Sequence, residues 1–307
     1  MVKRLTKENN ELQLVRNIRR WAGAPRGSEL VAGIGDDCAI FRPKGAREDL
    51  LFTTDLVIEG VHFLRETHAP ADIGWKCLAR GLSDIAAMGG EPRFCLVSLA
   101  VPKWAGDKWV EQFYRGLLRL ARREDTLLAG GDLARAPEAG CDIVVCGAAP
   151  RGRALRRDGA RPGNAIYVSG ALGASALGLT NQTGRAWKRH LRPEPRLALG
   201  RFLRERLKAT AAMDLSDGLS IDLLRLCEAS QARAEITVPP IFPGASLEQA
   251  LHGGEDYELL FTVPRRTVVP ARFEGLALTR IGVIVDGKPG VTLDGRPLAP
   301  HGWDHFA

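Results

Sequence analysis

The sequence predicts an α+β protein of two mixed α/β domains, spanning residues 1–149 and 150–307. Three observations lead there. The chain has 307 residues, 45% hydrophobic and 26% charged, enough for two ordinary globular domains. Strand-like and helix-like segments mix in both halves, without the strict βαβ alternation of a doubly wound sheet. A polar, arginine-rich stretch, RGRALRRDGARPG, separates the halves.

The elements follow in order. Residues 7–22 set Leu12, Leu14, Val15, Ile18 and Trp21 near a helical period, so they read as a helix. LLFTTDLV reads as a strand that runs into its acid. ADIGWKCLARGLSDIAAMGG reads as a helix, with Asp72 as cap and Gly89-Gly90 as stop. FCLVSLAVP, TLLAGGDL and CDIVVCGAAP are further strands, and residues 106–123 are helical. In the second half, NAIYVSG is a strand that enters a glycine-rich turn and a helix, GALGASALGL. One helix ends near RFLRERLKAT; LSIDLLRLCEAS is another, capped by Ser216 or Asp217. YELLFTV, LTRIGVIV and GVTLDG are strands.

The bulk properties narrow the function classes. MVKRLTKENNELQLVRNIRRWAG has no apolar segment of signal-peptide type, and no window reaches the roughly 18 apolar residues of a membrane span. The six cysteines form no CxxC pair and have mostly apolar neighbours, as buried free thiols do. A cytoplasmic protein without a membrane partner is expected. The net charge of +7 favours anionic partners. Its basic residues are scattered, without interleaved aromatics or zinc-finger spacing; small phosphorylated ligands would use the same field just as well, the charge names no single anion, and no nucleic-acid partner is expected.

The acids carry most of the chemistry. Asp37, Asp55, Asp84, Asp132, Asp214 and Asp217 each stand beside a small residue at a strand end or helix edge. A carboxylate at the margin of a core is costly unless paired, hydrogen-bonded or metal-bound. Asp84 falls about 120° around its helix from Leu78, at the border of the apolar stripe. Alone it reads as a solvated or N–H-bonded aspartate. The accumulation points instead to hard divalent cations, more than one, because converging acids repel each other. Zinc is disfavoured, since His and Cys show no ligand spacing. There is no GxxxxGK(S/T) loop and no kinase-type glycine loop with its downstream partners. GALGASALG is only loosely like a dinucleotide turn and serves packing equally well. The helix after DLSDG offers its first-turn N–H groups to a phosphate.

Taken in order, GIGDDCAIF, TTDLVIEGVHF, KCLARGLSDIAAMGGEP, LLAGGDLAR, GRALRRDGARPGN, DLSDGLSIDLL, HGGEDYELLF and GWDHFA resemble the thiamine-monophosphate kinase family. That family belongs to the superfamily named for aminoimidazole ribonucleotide synthetase. The resemblance implies transfer of the γ-phosphoryl of ATP to thiamine monophosphate, assisted by several Mg²⁺ ions and needing no general base. It implies metal ligands at Asp37, Thr53, Thr54, Asp55, Asp84, Asp132, Asp214 and Asp217. It implies ATP contacts at Gly131, Asp132, Arg157 and Ser216, and substrate contacts at His62, Glu255 and Trp303. The N-terminal domain is then the ATP- and metal-binding one, joined to a second copy through its sheet in a homodimer. The C-terminal domain adds metal, nucleotide and substrate contacts. Thr53 stands where the family often has Ser and keeps the hydroxyl; His252 replaces a common Ser. The alternative is another ATP-dependent enzyme of the superfamily, of selenophosphate synthetase or amidine synthase type. Against the first of these, the earliest cysteine, Cys38, follows the GDD motif inside an apolar run.

Overall fold

The computed structural model describes residues 11–22 and 29–303. The first four residues of the expected 7–22 helix and the last four of the chain lie outside them. Helix α1 (Glu11–Ala22) precedes a six-stranded sheet made of β1 (Leu30–Ala32), β2 (Ala39–Phe41), β3 (Glu48–Ile58), β4 (Glu91–Val101), β5 (Leu127–Arg135) and β6 (Gly140–Pro150). The strand order is β1-β2-β3-β6-β4-β5, antiparallel throughout except for the β4–β5 pair. Helices α2 (Pro70–Ala87) and α3 (Asp107–Arg123) pack together over one face. The second sheet contains β7 (Ala165–Ser169), β8 (Ala211–Asp214), β9 (Arg233–Ile236), β10 (Leu259–Val263), β11 (Arg272–Phe273), β12 (Leu276–Val285), β13 (Gly290–Leu293) and β14 (Arg296–Pro297). Its order is β14-β13-β9-β12-β7-β10-β8, with β11 paired to β12. Helices α4 (Ala174–Asn181), α5 (Gly184–Leu191), α6 (Leu197–Phe202), α7 (Leu219–Ser230) and α8 (Leu247–His252) complete this half. The α+β class predicted from the mixed pattern is the one observed.

Helix α2 organises the molecule. It is buried on nearly every side, not only along the Leu78–Leu82–Ile85 stripe. Its small residues allow that. A Cβ at Gly116 of α3 would lie 1.8 Å from the Ala71 carbonyl, and one at Gly200 of α6 would lie 2.0 Å from the Ala86 carbonyl. One apolar cluster therefore runs from Leu51 and Val145 in the first sheet, through Leu78 and Leu82, to Leu203 and Phe261 in the second half. The other face of the second sheet packs Ile166, Met213 and Leu260 against Leu223 and Leu226 of α7. Truncating Leu82 to Ala in such a site costs about 2–5 kcal/mol.

Two local expectations are corrected, and the glycine-rich turn takes its packing reading. Asp72 does not cap α2: Ala69 is the N-cap, Pro70 opens the helix, and the Asp72 carboxylate accepts from Arg192. Neither Ser216 nor Asp217 caps α7. Gly218 occupies that position, and Asp222 reaches back to accept from the N–H groups of Asp217 and Gly218 at 3.0 and 3.1 Å. The turn before α4 is a packing turn: the Asp256 carboxylate takes the N–H groups of Gly173 at 2.6 Å and Ser175 at 3.2 Å. Elsewhere Gly89, at φ +63, stops α2 as its glycine pair suggested.

Candidate active site

Strand alternation decides which acids meet. On β3, Thr53 and Asp55 face α2, while Thr54 points to the opposite face and donates to Asp142 Oδ1 at 2.6 Å. On α2, Lys76, Arg80 and Asp84 recur every fourth residue and share one side. Short strand β8 ends on Asp214, and the GDD turn delivers Asp37. Carboxylate oxygens of Asp37, Asp84 and Asp214 lie within 4.8 Å of one another. Thr53 donates its hydroxyl to Asp84, Ser83 donates to Asp214 Oδ2 at 2.6 Å, and Arg157 donates to Asp37.

Burial, then the neighbouring acids, pushes Asp84 and Asp214 well above the ordinary aspartate range. Burial and Asp37 raise Asp36 to about 7. Such a cluster is strained as a set of anions and relieved by a hard cation with oxygen ligands. The donors present fit Mg²⁺: three carboxylates with a hydroxyl beside them, and no His or Cys ligand among the described residues. Cys38, close by, is buried, and burial followed by the Asp84 charge pushes its thiol well up.

A cavity of about 400 Å³ opens beside the cluster. Asp55, His62, Asp84, Asp214, Ser216, Asp217, Glu255 and Trp303 all line it. His62, Glu255 and Trp303, the expected substrate contacts, thus come together from a loop after β3, the turn after α8 and the C-terminal segment. That segment is docked on the Asp214–Gly218 turn, for Trp303 N–H donates to Asp217 O at 3.1 Å and His301 N–H to Ser220 Oγ at 3.2 Å. Asp217 itself pairs with Arg225. Arg80 donates to Asp55 Oδ1 at 3.1 Å on the opposite wall. Glu255 Oε2 accepts from Lys76 Nζ at 2.8 Å and lies 3.4 Å from His190 Nδ1. Burial opposes the Glu255 charge, but the Lys76 ammonium first, and Arg80, outweigh it and hold the carboxyl at about 2. Burial and the Lys76 ammonium in turn keep His190 neutral, at about 3.

Gly131 and Asp132 are placed elsewhere. They lie on β5, an exposed edge strand, and Asp132 lines a shallower cavity with Leu56 and Asp142 on the open face of the first sheet. Within one chain, Thr54, Gly131 and Asp132 do not join the acid cluster. Sequence reasoning missed Lys76, Arg80, Ser83, His68 and His190. The first two had a signal: charges at four-residue spacing inside an otherwise apolar helix. The histidines had none, since His68 Nε2 meets His190 Nε2 at 3.3 Å across 122 residues.

Residues 35–151 match the model of the AIR synthase related protein N-terminal domain, and residues 161–294 that of its C-terminal domain. The thiamine-monophosphate kinase of Escherichia coli (strain K12) is 39% identical over 328 residues, covering 94% of this chain and 97% of that protein. The chain belongs to the thiamine-monophosphate kinase family. Among solved structures of this kind, "AaThiL complexed with AMPPCP and TMP" superposes with a TM-score of 0.86 at 33% identity, covering 99% of both chains. The thiamine-monophosphate kinase of Stenotrophomonas maltophilia K279a gives a TM-score of 0.75 at 37% identity, covering 95% of this chain and 98% of that one. The family fold accounts for the distribution of the site over elements so far apart in sequence.

Proposed function

We propose that this enzyme transfers the γ-phosphoryl group of ATP to the phosphate of thiamine monophosphate, giving thiamine diphosphate and ADP. The observation that carries the reading is a single cavity lined both by Asp84 and Asp214 of the acid cluster and by Glu255 and Trp303. One end suits phosphates; the other suits a cationic heteroaromatic ring. Mg²⁺ held by Asp37, Asp84 and Asp214 would neutralise the phosphate oxygens and the charge that develops between them.

The chain's own groups do the rest. The acceptor phosphate is largely ionised near neutrality, its second pKa being roughly 6, so no side chain need take a proton from it. Arg157, partly exposed beside the buried Asp37, supplies a planar fork suited to nucleotide phosphates. Thr53 orients Asp84 and Ser83 orients Asp214 by donating hydroxyl protons. At the far wall, Glu255 stays ionised, and Trp303 offers a ring face to a thiazolium, worth on the order of 1 kcal/mol.

The open face of the first sheet exposes Leu56, Leu96 and Leu127. In the proposed homodimer a second copy covers this face, which places Thr54, Gly131 and Asp132 at the seam. The N-terminal half, to residue 149, is then the dimerising and metal-binding domain, and the remainder completes the acceptor site. All six cysteines are free and buried, and no helix among the described residues is long and apolar enough to cross a membrane. We place the enzyme in the cytoplasm.

Purified protein with ATP and Mg²⁺ tests the reading. Thiamine diphosphate should form from thiamine monophosphate and carry the label of γ-labelled ATP. Turnover of unphosphorylated thiamine or of selenide in its place would overturn it.

A further inference from the structure

Lys76 has no role in the reaction described above, yet it is among the largest fully buried side chains, 1% exposed. It sits on α2 among Cys77, Leu78 and Ala79, a setting where a methionine would pack as well. Replacing a buried ion pair by apolar residues is often neutral for stability, so stability alone does not account for a lysine here. Its contacts suggest what does. Nζ donates to Glu255 Oε2 at 2.8 Å and to the His62 carbonyl at 3.4 Å. These acceptors belong to two separate segments that wall the acceptor cavity, 193 positions apart in the chain. Glu255 Oε1, in contrast, accepts no hydrogen bond from the described residues, although Glu255 lines the cavity. The backbone at Glu255 and Tyr257 is left-handed, φ +64 and +49, a conformation that such residues keep only where the surroundings fix it.

We propose that Lys76 is the positioning residue of the acceptor site: its sealed ammonium clamps the Glu255 side chain and the backbone at His62 together, setting the gap between the two walls. The ligand class is a cationic heteroaromatic with an N–H donor, which the uncommitted Oε1 receives. This rests on the function proposed above. Other charged or titratable groups face Glu255: Arg80 from α2, His190 from α5, His68 from the loop after β3, and Tyr257 from its own turn. None of them bridges both walls.

Steady-state kinetics of K76M, E255Q and K76M/E255Q test the clamp. In K76M the KM for thiamine monophosphate should rise at least about tenfold, and the KM for ATP should stay within about twofold. The ratio of K76M to wild-type KM should grow as pH falls from about 8 to about 6, because Glu255 then lacks its main counter-charge. E255Q should show the rise without the pH trend, and the double variant should be no worse than K76M. Hydrogen exchange adds a readout free of activity: residues 59–68 and 254–257 should lose protection together in K76M. An unchanged KM for thiamine monophosphate, an equal rise in both KM values, or loosening of only one wall overturns the proposal. Should K76M fail to fold, the double variant carries the same kinetic test, and a wild-type KM in it is equally fatal. If the wild-type protein does not use thiamine monophosphate, the proposed function falls, while the exchange experiment still decides the clamp.

Discussion

Arg157 grips Asp37 through both carboxylate oxygens, Nε donating to Oδ2 at 3.3 Å and Nη2 to Oδ1, with the aspartate side chain sealed from solvent. The same pair joins the two halves of the site, for Asp37 comes from the GDD turn and Arg157 from the segment that leads into the second sheet. A divalent cation held at Asp37 would leave the guanidinium available to a nucleotide phosphate.

Removing the guanidinium should therefore act twice. Arg157→Ala should raise the KM for ATP at least about tenfold, with a smaller effect on thiamine monophosphate. It leaves Asp37 buried without its partner, a loss of about 3–5 kcal/mol in comparable pairs, so thermal stability should fall without Mg²⁺ and recover when Mg²⁺ is added. Calorimetry with and without the cation checks this.

Asp84→Asn should separate folding from activity. The amide keeps the shape and removes one of three crowded charges, so the Mg²⁺-free protein should melt higher than wild type. Yet kcat should fall at least about tenfold, equivalent to about 1.4 kcal/mol in the barrier. A loss of activity with a lower melting temperature would mean a broken fold instead.

The acids also set a pH dependence. Asp36 is raised from 3.8 to about 7, and burial and neighbouring acids raise Asp84 and Asp214 well above the ordinary value too. A group with a raised folded-state value contributes its stability fully below the unfolded value and loses it as pH climbs through the folded one. The Mg²⁺-free melting temperature should thus rise as pH is lowered from about 8 to about 6, and saturating Mg²⁺ should flatten or reverse the trend. Glu255 works in the other sense: held at about 2, it keeps its contribution until far lower pH.

Leu56 is 52% exposed on the open sheet face, opposite Asp142 of β6. Leu56→Glu should shift the protein from dimer to monomer in light scattering while its helical and strand content is kept. A wild-type mass that is already monomeric would remove the homodimer.

Much of this was legible in the sequence. The strands over TTDLV and CDIVVCGAAP and the long helices announce themselves by period and by glycine stops. Strands β8 and β9, four residues each, were not read, because their alternation is too short to stand out from buried loop. The acids that meet at the cluster were named from local setting alone, yet no local signal tells that Thr53 turns inward while Thr54 turns out. That depends on register across β6, where Thr53 pairs with Val145. The caps failed for a related reason: Asp222 satisfies the start of α7 from inside the helix, a choice made by tertiary burial rather than by the preceding residues.

Anomalous diffraction from crystals grown with Mn²⁺ and a non-hydrolysable ATP analogue tests the acid cluster most directly. Density should appear between Asp37, Asp84 and Asp214, with Arg157 released from Asp37 and turned to the nucleotide. A map with nucleotide bound, no anomalous peak among these three carboxylates, and Arg157 still on Asp37 would contradict it.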